Sequence, residues 1–374
     1  MTTSSSNPRP VDAASPRFQR LKAFTLAAAL VCTSALADGW TTHKSKGEVP
    51  SPRSAPVVGA LGKHVYLFSG VFDSITADPH VCFNDLYRFD TRSDRWTRLT
   101  PVGPVPPARA YAASASHPAS KRILVFGGAF YSSPFYADFS VYDDLWAYDV
   151  KRNAWTQIIA NNAGPSARSR PTAWMVGNQL YLFGGINAFF GTMNDLWVYS
   201  LDSNTWSELI PDGAAGSPPS RHEAMSGTRV QNGKLLIYGG ETVDETFSFV
   251  TLNDTWAYSL ADNTWENLTP ADPFNVDPPR NLAGAGVLGG NLYVQGGDMP
   301  GGESGGSGFA QNVSNDLWKF EGGTWLEVTC MGDEGPRLKR HRGVEVGDRL
   351  FLFSGYDFVD QAEVWNQSVY SFRP

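Results

Sequence analysis

Residues 180–185 read LYLFGG, and variants of this hexapeptide recur five more times along the chain. They share four mostly apolar residues followed by a small residue and glycine: VYLFSG at 65–70, ILVFGG at 123–128, LLIYGG at 235–240, LYVQGG at 292–297 and LFLFSG at 350–355. The final glycines, at 70, 128, 185, 240, 297 and 355, are separated by 55 to 58 residues. A constant spacing of this size indicates one structural unit repeated six times.

Two further elements follow each hexapeptide. An Asn-Asp or similar pair starts an alternating aromatic segment, as in NDLWVYS at 194–200, and a single tryptophan comes about ten residues later. These tryptophans are Trp96, Trp155, Trp206, Trp265 and Trp325. Alternation, aromatic content and frequent turn residues predict four short strands per unit, with the tryptophan in the fourth.

The sixth unit ends at Pro374 without a tryptophan strand, and the missing strand occurs at the other end of the chain. DGWTTHKSKGEVPSPR at 38–53 matches DRWTRLTPVGPVPPAR at 94–109 nearly position by position. We therefore predict that Trp40 lies in the outer strand of the last unit. This pairing closes a ring of six four-stranded antiparallel blades, an all-β propeller over 38–374 without free sheet edges.

The unit resembles the kelch repeat. The resemblance covers 38–374 and is carried by diglycines such as Gly127-Gly128 and Gly184-Gly185, tyrosines such as Tyr148 and Tyr199, and the spaced tryptophans, with serine replacing the first glycine at 69 and 354. It implies a six-bladed β-propeller. It implies little about function, since one fold supports many functions.

The first 37 residues have the three parts of a secretory signal peptide. Arg17, Arg20 and Lys22 precede a short apolar segment at 23–37 that ends in Ala35-Leu36-Ala37. This pattern predicts cleavage after Ala37 and a secreted protein, extracellular or periplasmic. An uncleaved anchor is the alternative. In an oxidising compartment Cys82 and Cys330 are free to pair, and the sequence does not decide whether they do.

Composition limits the partners. The chain has a net charge of −7, 13 % aromatic residues and no apolar run of 18 residues. Excess negative charge argues against nucleic acid, and the missing apolar run argues against a membrane-spanning helix. The six histidines lack ligand spacing, so we expect neither a metal nor a cofactor, and we expect a monomer.

Candidate binding residues fall into two groups. The loops between second and third strands combine aromatic and acidic residues suited to a protein or a sugar, and mutual loop packing is the alternative explanation. We select Phe130, Tyr131, Phe190, Glu241 and Tyr356 from these loops. The second group is one arginine ahead of each innermost strand: Arg53, Arg109, Arg168, Arg221, Arg280 and Arg337. By resemblance to kelch domains that bind acidic peptides, these arginines would point into the channel mouth and bind a carboxylate. Alternatively, each pairs with backbone carbonyls or an acidic neighbour and holds two blades together.

Three functions are compatible with these features. The first is a secreted binding module for a protein or carbohydrate ligand on the loop face. The second is a sugar enzyme that resembles sialic-acid mutarotase, a kelch enzyme that uses a glutamate with a nearby arginine; Glu241 is the candidate catalytic residue. The third is a structural component of a wall, envelope or matrix.

Overall fold

The computed structural model describes residues 39–74, 80–132, 139–227, 233–246, 248–272, 276–304, 310–329, 334–360 and 362–374. The predicted signal peptide and Cys330 lie outside these ranges. Within them, the regular structure consists of β-strands, arranged as the six blades of a propeller. The predicted fold class is therefore confirmed.

Each blade is an antiparallel sheet whose strands follow each other from the central axis outwards. The first three blades contain β3 (Val57–Leu61), β4 (His64–Phe68), β7 (Leu86–Asp90) and β8 (Arg95–Leu99); β9 (Ala113–His117), β10 (Arg122–Phe126), β13 (Leu145–Asp149) and β14 (Ala154–Ile158); and β15 (Thr172–Val176), β16 (Gln179–Ile186), β17 (Thr192–Ser200) and β18 (Thr205–Ile210). A short strand, β2 (Lys46–Gly47), runs parallel to β8.

The last three blades follow the same plan. They contain β19 (Lys234–Tyr238), β22 (Thr255–Ser259) and β23 (Thr264–Asn267); β24 (Gly284–Leu288), β25 (Asn291–Gln295), β28 (Leu317–Glu321) and β29 (Thr324–Glu327); and β30 (Arg342–Val346), β31 (Arg349–Phe353), β34 (Val369–Arg373) and β1 (Gly39–His43). On the inner side of β19, Met225 pairs with Tyr238 in an isolated bridge.

The ring closes as the sequence predicts. β1 pairs antiparallel with β34, with Trp40 opposite Phe372 and Gly39 opposite Arg373. The blade that ends the chain thus receives its outer strand from the beginning of the described chain. This arrangement covers the edge that β34 would otherwise expose.

Each tryptophan fills the wedge between two blades. Trp155 of blade 2 lies on Phe68 of blade 1, with ring centroids 4.7 Å apart. The same contact recurs in four other blades, as Trp206–Phe126, Trp265–Phe183, Trp325–Tyr238 and Trp96–Phe353. The aromatic partner is the residue before the small-residue–glycine pair, so the hexapeptide and the tryptophan are two halves of one interblade contact. Burial of such large rings is the main stabilisation between the sheets.

The glycine that ends each hexapeptide permits a close approach of the segment that leads into the first strand of its own blade. Gly240 has a φ of 90°, and a Cβ atom there would lie 2.6 Å from the carbonyl oxygen of His222. Its N–H donates to the carbonyl oxygen of Arg280 in the following blade. The final glycine therefore has a backbone conformation that favours glycine and no room for a side chain, while the interblade tryptophans pack on the aromatic residue two positions before it.

The second and third strands of every blade are joined by an outer hairpin. In blade 3 the hairpin is a prolongation of β16 and β17. In the other five blades it is a separate pair of strands: β5 (Val71–Phe72) with β6 (Val81–Cys82), β11 (Ala129–Phe130) with β12 (Ser140–Val141), β20 (Glu241–Val243) with β21 (Phe249–Thr251), β26 (Asp298–Ser304) with β27 (Ala310–Val313), and β32 (Tyr356–Val359) with β33 (Ala362–Trp365). We call the side of the propeller that carries these hairpins the loop face. In the part of the chain described, no helix is long and apolar enough to cross a membrane.

Candidate functional site

Five of the six predicted arginines form buried ion pairs inside their own blades. Their partners are the aspartates that precede the third strand: Arg53 with Asp85, Arg109 with Asp144, Arg168 with Asp195, Arg221 with Asp254 and Arg280 with Asp316. In Arg109 the Nη1 atom lies 2.6 Å from Asp144 Oδ1, and Nη2 lies 2.8 Å from Asp144 Oδ2. Parallel pairs of charged hydrogen bonds of this kind are the strongest that a carboxylate forms.

Further protein acceptors satisfy the same guanidinium groups. Nη1 of Arg109 also donates to the Gly127 carbonyl oxygen at 2.8 Å, and its Nε donates to the Pro107 carbonyl oxygen at 3.1 Å. Four of the five N–H donors are therefore engaged, and the residue is fully buried. These contacts hold the first and third strands of five blades together and occupy the guanidinium groups that the predicted carboxylate-binding ring would use. The internal pairing that was the alternative is observed, within each blade rather than between two blades.

Arg337 does not belong to this set. The residue whose carbonyl oxygen accepts the N–H of the preceding blade's glycine is Leu338, where the other blades have arginine. Blade 6 also has Gln367 where the others have aspartate, so both members of the ion pair are missing together. The Arg337 side chain is 51 % exposed and lies 3.2 Å from Asp357.

A second ring lies two residues after the arginines, at the loop-face mouth of the channel. Its members have positive φ angles of 47° to 60°, a strained backbone for residues other than glycine: Ala55, Tyr111, Arg170, Glu223, Leu282 and Arg340. Their backbones are hydrogen-bonded around the axis, Tyr111 to Ala55, Arg170 to Tyr111, Glu223 to Arg170, Arg340 to Leu282, and Ala55 to Arg340. This axial ring carries charged side chains at a rigid mouth.

Arg340 anchors one side of the mouth. Its Nη1 donates to Asp73 Oδ2 at 2.6 Å, and the Tyr131 hydroxyl donates to the same oxygen at 2.9 Å. The guanidinium lies 5.7 Å from the ring centroid of Tyr356. Tyr131 and Tyr356, both selected from sequence, thus meet at the mouth, but both are buried and support Arg340 and Asp73.

Glu241 lies beside His222 on the other side of the mouth. Its carboxylate accepts a hydrogen bond from Asn281 Nδ2 at 2.8 Å and lies 3.5 Å from His222 Nε2. Burial raises the pKa of Glu241 to about 7. Burial also lowers the pKa of His222 well below its usual value, so the imidazole is neutral at pH 7. Glu241 is thus a buried acid poised to exchange a proton near neutral pH.

The remaining selected aromatics belong to the outer hairpins. Phe130 is half-buried in β11. Phe190 is 45 % exposed and stacks on Phe139, with ring centroids 6.0 Å apart and planes within 9°. Its neighbour Phe189 is 87 % exposed. The loop face therefore presents apolar side chains around a charged centre.

Most of the charged mouth was not selected from the sequence. A constant offset could have identified these residues: Arg170, Glu223 and Arg340 each lie two residues after the arginine position of their blade. In blade 6 the offset is visible only once Leu338 is taken as the arginine position. His222 and Lys339 occupy the intervening position, and Lys339 Nζ donates to Asp298 at 2.8 Å. Among the described residues, no cluster of three histidine, cysteine or carboxylate side chains could hold a metal ion.

Comparisons with known proteins agree with this architecture. Residues 60–297 match the model of the KLHDC2/KLHL20/DRC7 Kelch-repeats domain. The chain is 27 % identical over 371 residues to Host cell factor 1 of Homo sapiens, covering 88 % of this chain and 16 % of that protein. It is 30 % identical over 205 residues to Kelch domain-containing protein 3 of Bos taurus, covering 54 % of this chain and 51 % of that protein.

A third relative is the Dynein alpha chain of the flagellar outer arm of Chlamydomonas reinhardtii. It is 28 % identical over 250 residues, which cover 63 % of this chain and 5 % of the relative. The chain thus spans about half or less of each of these relatives, which share its repeats. Kelch propellers of such homologues are generally protein-interaction modules. The match over 60–297, together with the six blades, shows that the chain belongs to the kelch-repeat family.

Proposed function

We propose that the protein is a binding module that recognises a protein partner on its loop face. The observation that carries this proposal is the distribution of exposed large apolar side chains. Seven of them lie on the outer hairpins: Val81, Phe189, Phe190, Phe249, Val250, Val359 and Val364. Exposed apolar groups concentrated on one side of a protein are typical of interaction sites.

The frame below the hairpins is suited to rigid recognition. The five arginine–aspartate pairs fix five of the six blades internally, and the backbone bonds of the axial ring fix the blades to each other. Because the surface is already rigid, little binding free energy is spent on ordering the propeller when a partner binds. The aromatic hairpins around an arginine-containing centre also match the residue types that dominate binding energy at protein interfaces.

The finer features of the proposal come from the sequence. The signal-peptide pattern supports secretion, and aromatic rings beside carboxylates suit a carbohydrate as well as a peptide. We treat a protein ligand as the principal proposal because the exposed large apolar side chains of the hairpins are Phe and Val, which suit the apolar side chains of a peptide better than sugar hydroxyls.

Arrays of peptides and of glycans, probed with the purified protein, test this proposal. We expect saturable binding to peptides with apolar side chains, weakened at least tenfold in the double variant Phe189→Ser/Phe249→Ser. Ile159→Ser is the matched control, since Ile159 is 72 % exposed but lies after β14, away from the outer hairpins. Binding to glycans alone, or no peptide binding, would contradict a protein-recognition role.

A second candidate function rests on Glu241. A general acid–base group works best when its pKa lies near the operating pH, and burial raises the pKa of Glu241 to about 7. The positive charge of Arg170 lowers the pKa of the same carboxylate, so an arginine acts on this glutamate, although it is not one of the six arginines selected from sequence. Anomer exchange of sialic acid, followed by NMR, should be accelerated by the protein and lost in Glu241→Gln if this function exists; absence of acceleration would remove it.

A further inference from the structure

The central channel contains a cavity of about 120 Å³ below the axial ring. All six blades line it, mainly through small residues of their innermost segments such as Ala113, Ala173 and Gly343. At roughly 30 Å³ per water molecule, it has room for about four waters or for an organic molecule of that size. Its shape therefore admits a small ligand and excludes a folded partner.

The charged groups of this cavity are few and come from separate blades. Arg170, Glu223 and Arg342 line it, from blades 3, 4 and 6. Glu223 Oε1 lies 3.6 Å from Arg170 Nε and 4.0 Å from Arg342 Nη2. These distances are beyond normal hydrogen bonds, so two cations flank the carboxylate without binding it closely.

Glu223 is the unusual member of the group. Its side chain is only 2 % exposed, yet neither carboxylate oxygen has a hydrogen-bond partner among the described residues. A buried carboxylate without a donor is costly, and native proteins normally supply a partner for such a group. The missing donor must reach Glu223 from the cavity that it lines.

The cavity hydroxyls do not supply that donor. Ser114 Oγ donates to the Val58 carbonyl oxygen at 2.8 Å, and Thr172 Oγ1 donates to the Ala224 carbonyl oxygen at 3.0 Å. Ser226 Oγ donates to the Gly227 carbonyl oxygen at 3.0 Å, so the hydroxyl protons of all three cavity residues are used by backbone acceptors. Arg170 and Arg342 keep about a fifth of their side chains exposed, so their guanidinium groups are accessible from the cavity.

We propose that this cavity binds a small carboxylate that carries a hydrogen-bond donor on the adjacent carbon, an α-hydroxy or α-amino acid. Its carboxylate pairs with Arg170 and Arg342, and its hydroxyl or ammonium donates to Glu223. Two cations and one acceptor anion complement this combination of groups. A plain carboxylate supplies no hydrogen-bond donor to Glu223, and a plain amine supplies no carboxylate to Arg170 and Arg342.

Three ligands that differ at one substituent test this proposal. Lactate, alanine and propionate carry a hydroxyl, an ammonium and a hydrogen on the same carbon, and ligand-detected NMR titration measures their affinities for the purified protein. We expect saturable binding of lactate or alanine, and at least tenfold weaker binding of propionate. Because glutamine still accepts a hydrogen bond but lacks the charge, Glu223→Gln should weaken alanine far more than lactate, which distinguishes the two donors.

Variants separate this site from general damage to the fold. Arg342→Gln should weaken the bound ligand at least tenfold, whereas Arg152→Gln, on an exposed turn after β13, should leave its affinity unchanged. The thermal midpoint of each variant reports folding independently of binding. The proposal is overturned if neither lactate nor alanine binds saturably, if propionate binds as tightly, or if a folded Arg342→Gln variant binds as wild type does.

Discussion

Trp40 and Phe372 lie directly opposite each other in the antiparallel pair of β1 and β34, with ring centroids 5.4 Å apart. One residue stands near the beginning of the described chain and the other near its end. Their contact joins the last blade to the first segment of the chain and completes the ring. The closure therefore depends on a half-buried side chain in an outer strand.

Trp40→Ala should lower the free energy of unfolding by about 2 kcal/mol, less than a fully buried tryptophan, because Trp40 is only half-buried. Thr42→Ala, an exposed position on the same strand, serves as the control and should change stability little. Urea denaturation followed by tryptophan fluorescence measures both. Equal stability of Trp40→Ala and wild type would show that β1 does not hold the ring closed.

Arg109→Ala should destabilise the protein strongly, by about 3–5 kcal/mol, because it leaves the Asp144 carboxylate without its buried partner. Arg337→Ala should cost less than about 1 kcal/mol, since its ion pair with Asp357 is largely exposed. Thermal or urea denaturation compares the two arginine variants directly. Similar losses of stability in both variants would indicate that Arg337 forms a buried ion pair like those of the other five arginines.

Glu241 should make stability depend on pH in a defined direction. Burial raises its pKa from the usual 4.5 to about 7, so the folded protein retains this proton where the unfolded chain releases it. The contribution of Glu241 is fully present below pH 4.5 and is lost as the pH rises to about 7.

The difference in unfolding free energy between wild type and Glu241→Gln isolates this effect from His222, whose lowered pKa acts in the opposite direction at lower pH. As the pH rises from 4.5 to 7, we expect the unfolding free energy of wild type to fall by about 3 kcal/mol relative to that of Glu241→Gln. Urea denaturation at several pH values measures it. A difference that stays constant would mean that the carboxylate titrates normally.

Cleavage after Ala37 remains a prediction from sequence. Expression in a host with a secretory pathway, followed by N-terminal sequencing of the exported protein, should give Asp38-Gly39-Trp40 as the first residues. Ala37→Leu replaces the small residue that cleavage requires and should abolish this product. Retention of the uncleaved chain in the cell would favour the anchor.

The sequence predicts the ring of blades because its signals are local and repeated. Each hexapeptide carries its own strand, glycine turn and aromatic contact, so six copies specify six blades without long-range information. The strand-closing role of Trp40 also follows, since 38–53 copies 94–109. Gln295, where other blades have an aromatic residue, already marks blade 5 as different.

The site was harder to predict because it depends on contacts between blades. The spacing of the arginines alone does not show that Asp144 and its equivalents lie within hydrogen-bonding distance of them. In blade 6 the position equivalent to these arginines is Leu338, and Arg337 precedes it by one residue, so the sequence makes Arg337 look like a sixth member of the set. Glu223 and Arg342 are separated by about 120 positions in the sequence and approach each other only across the folded channel. Such pairs carry no periodic signal.

Hydrogen–deuterium exchange of the protein with and without a peptide selected from the array tests the loop-face assignment most directly. We predict added protection in the outer hairpins, in particular at 186–192, 241–251 and 356–365. The turns on the opposite face, at 61–64 and 149–154, should exchange unchanged. Protection confined to those opposite turns would contradict recognition by the loop face.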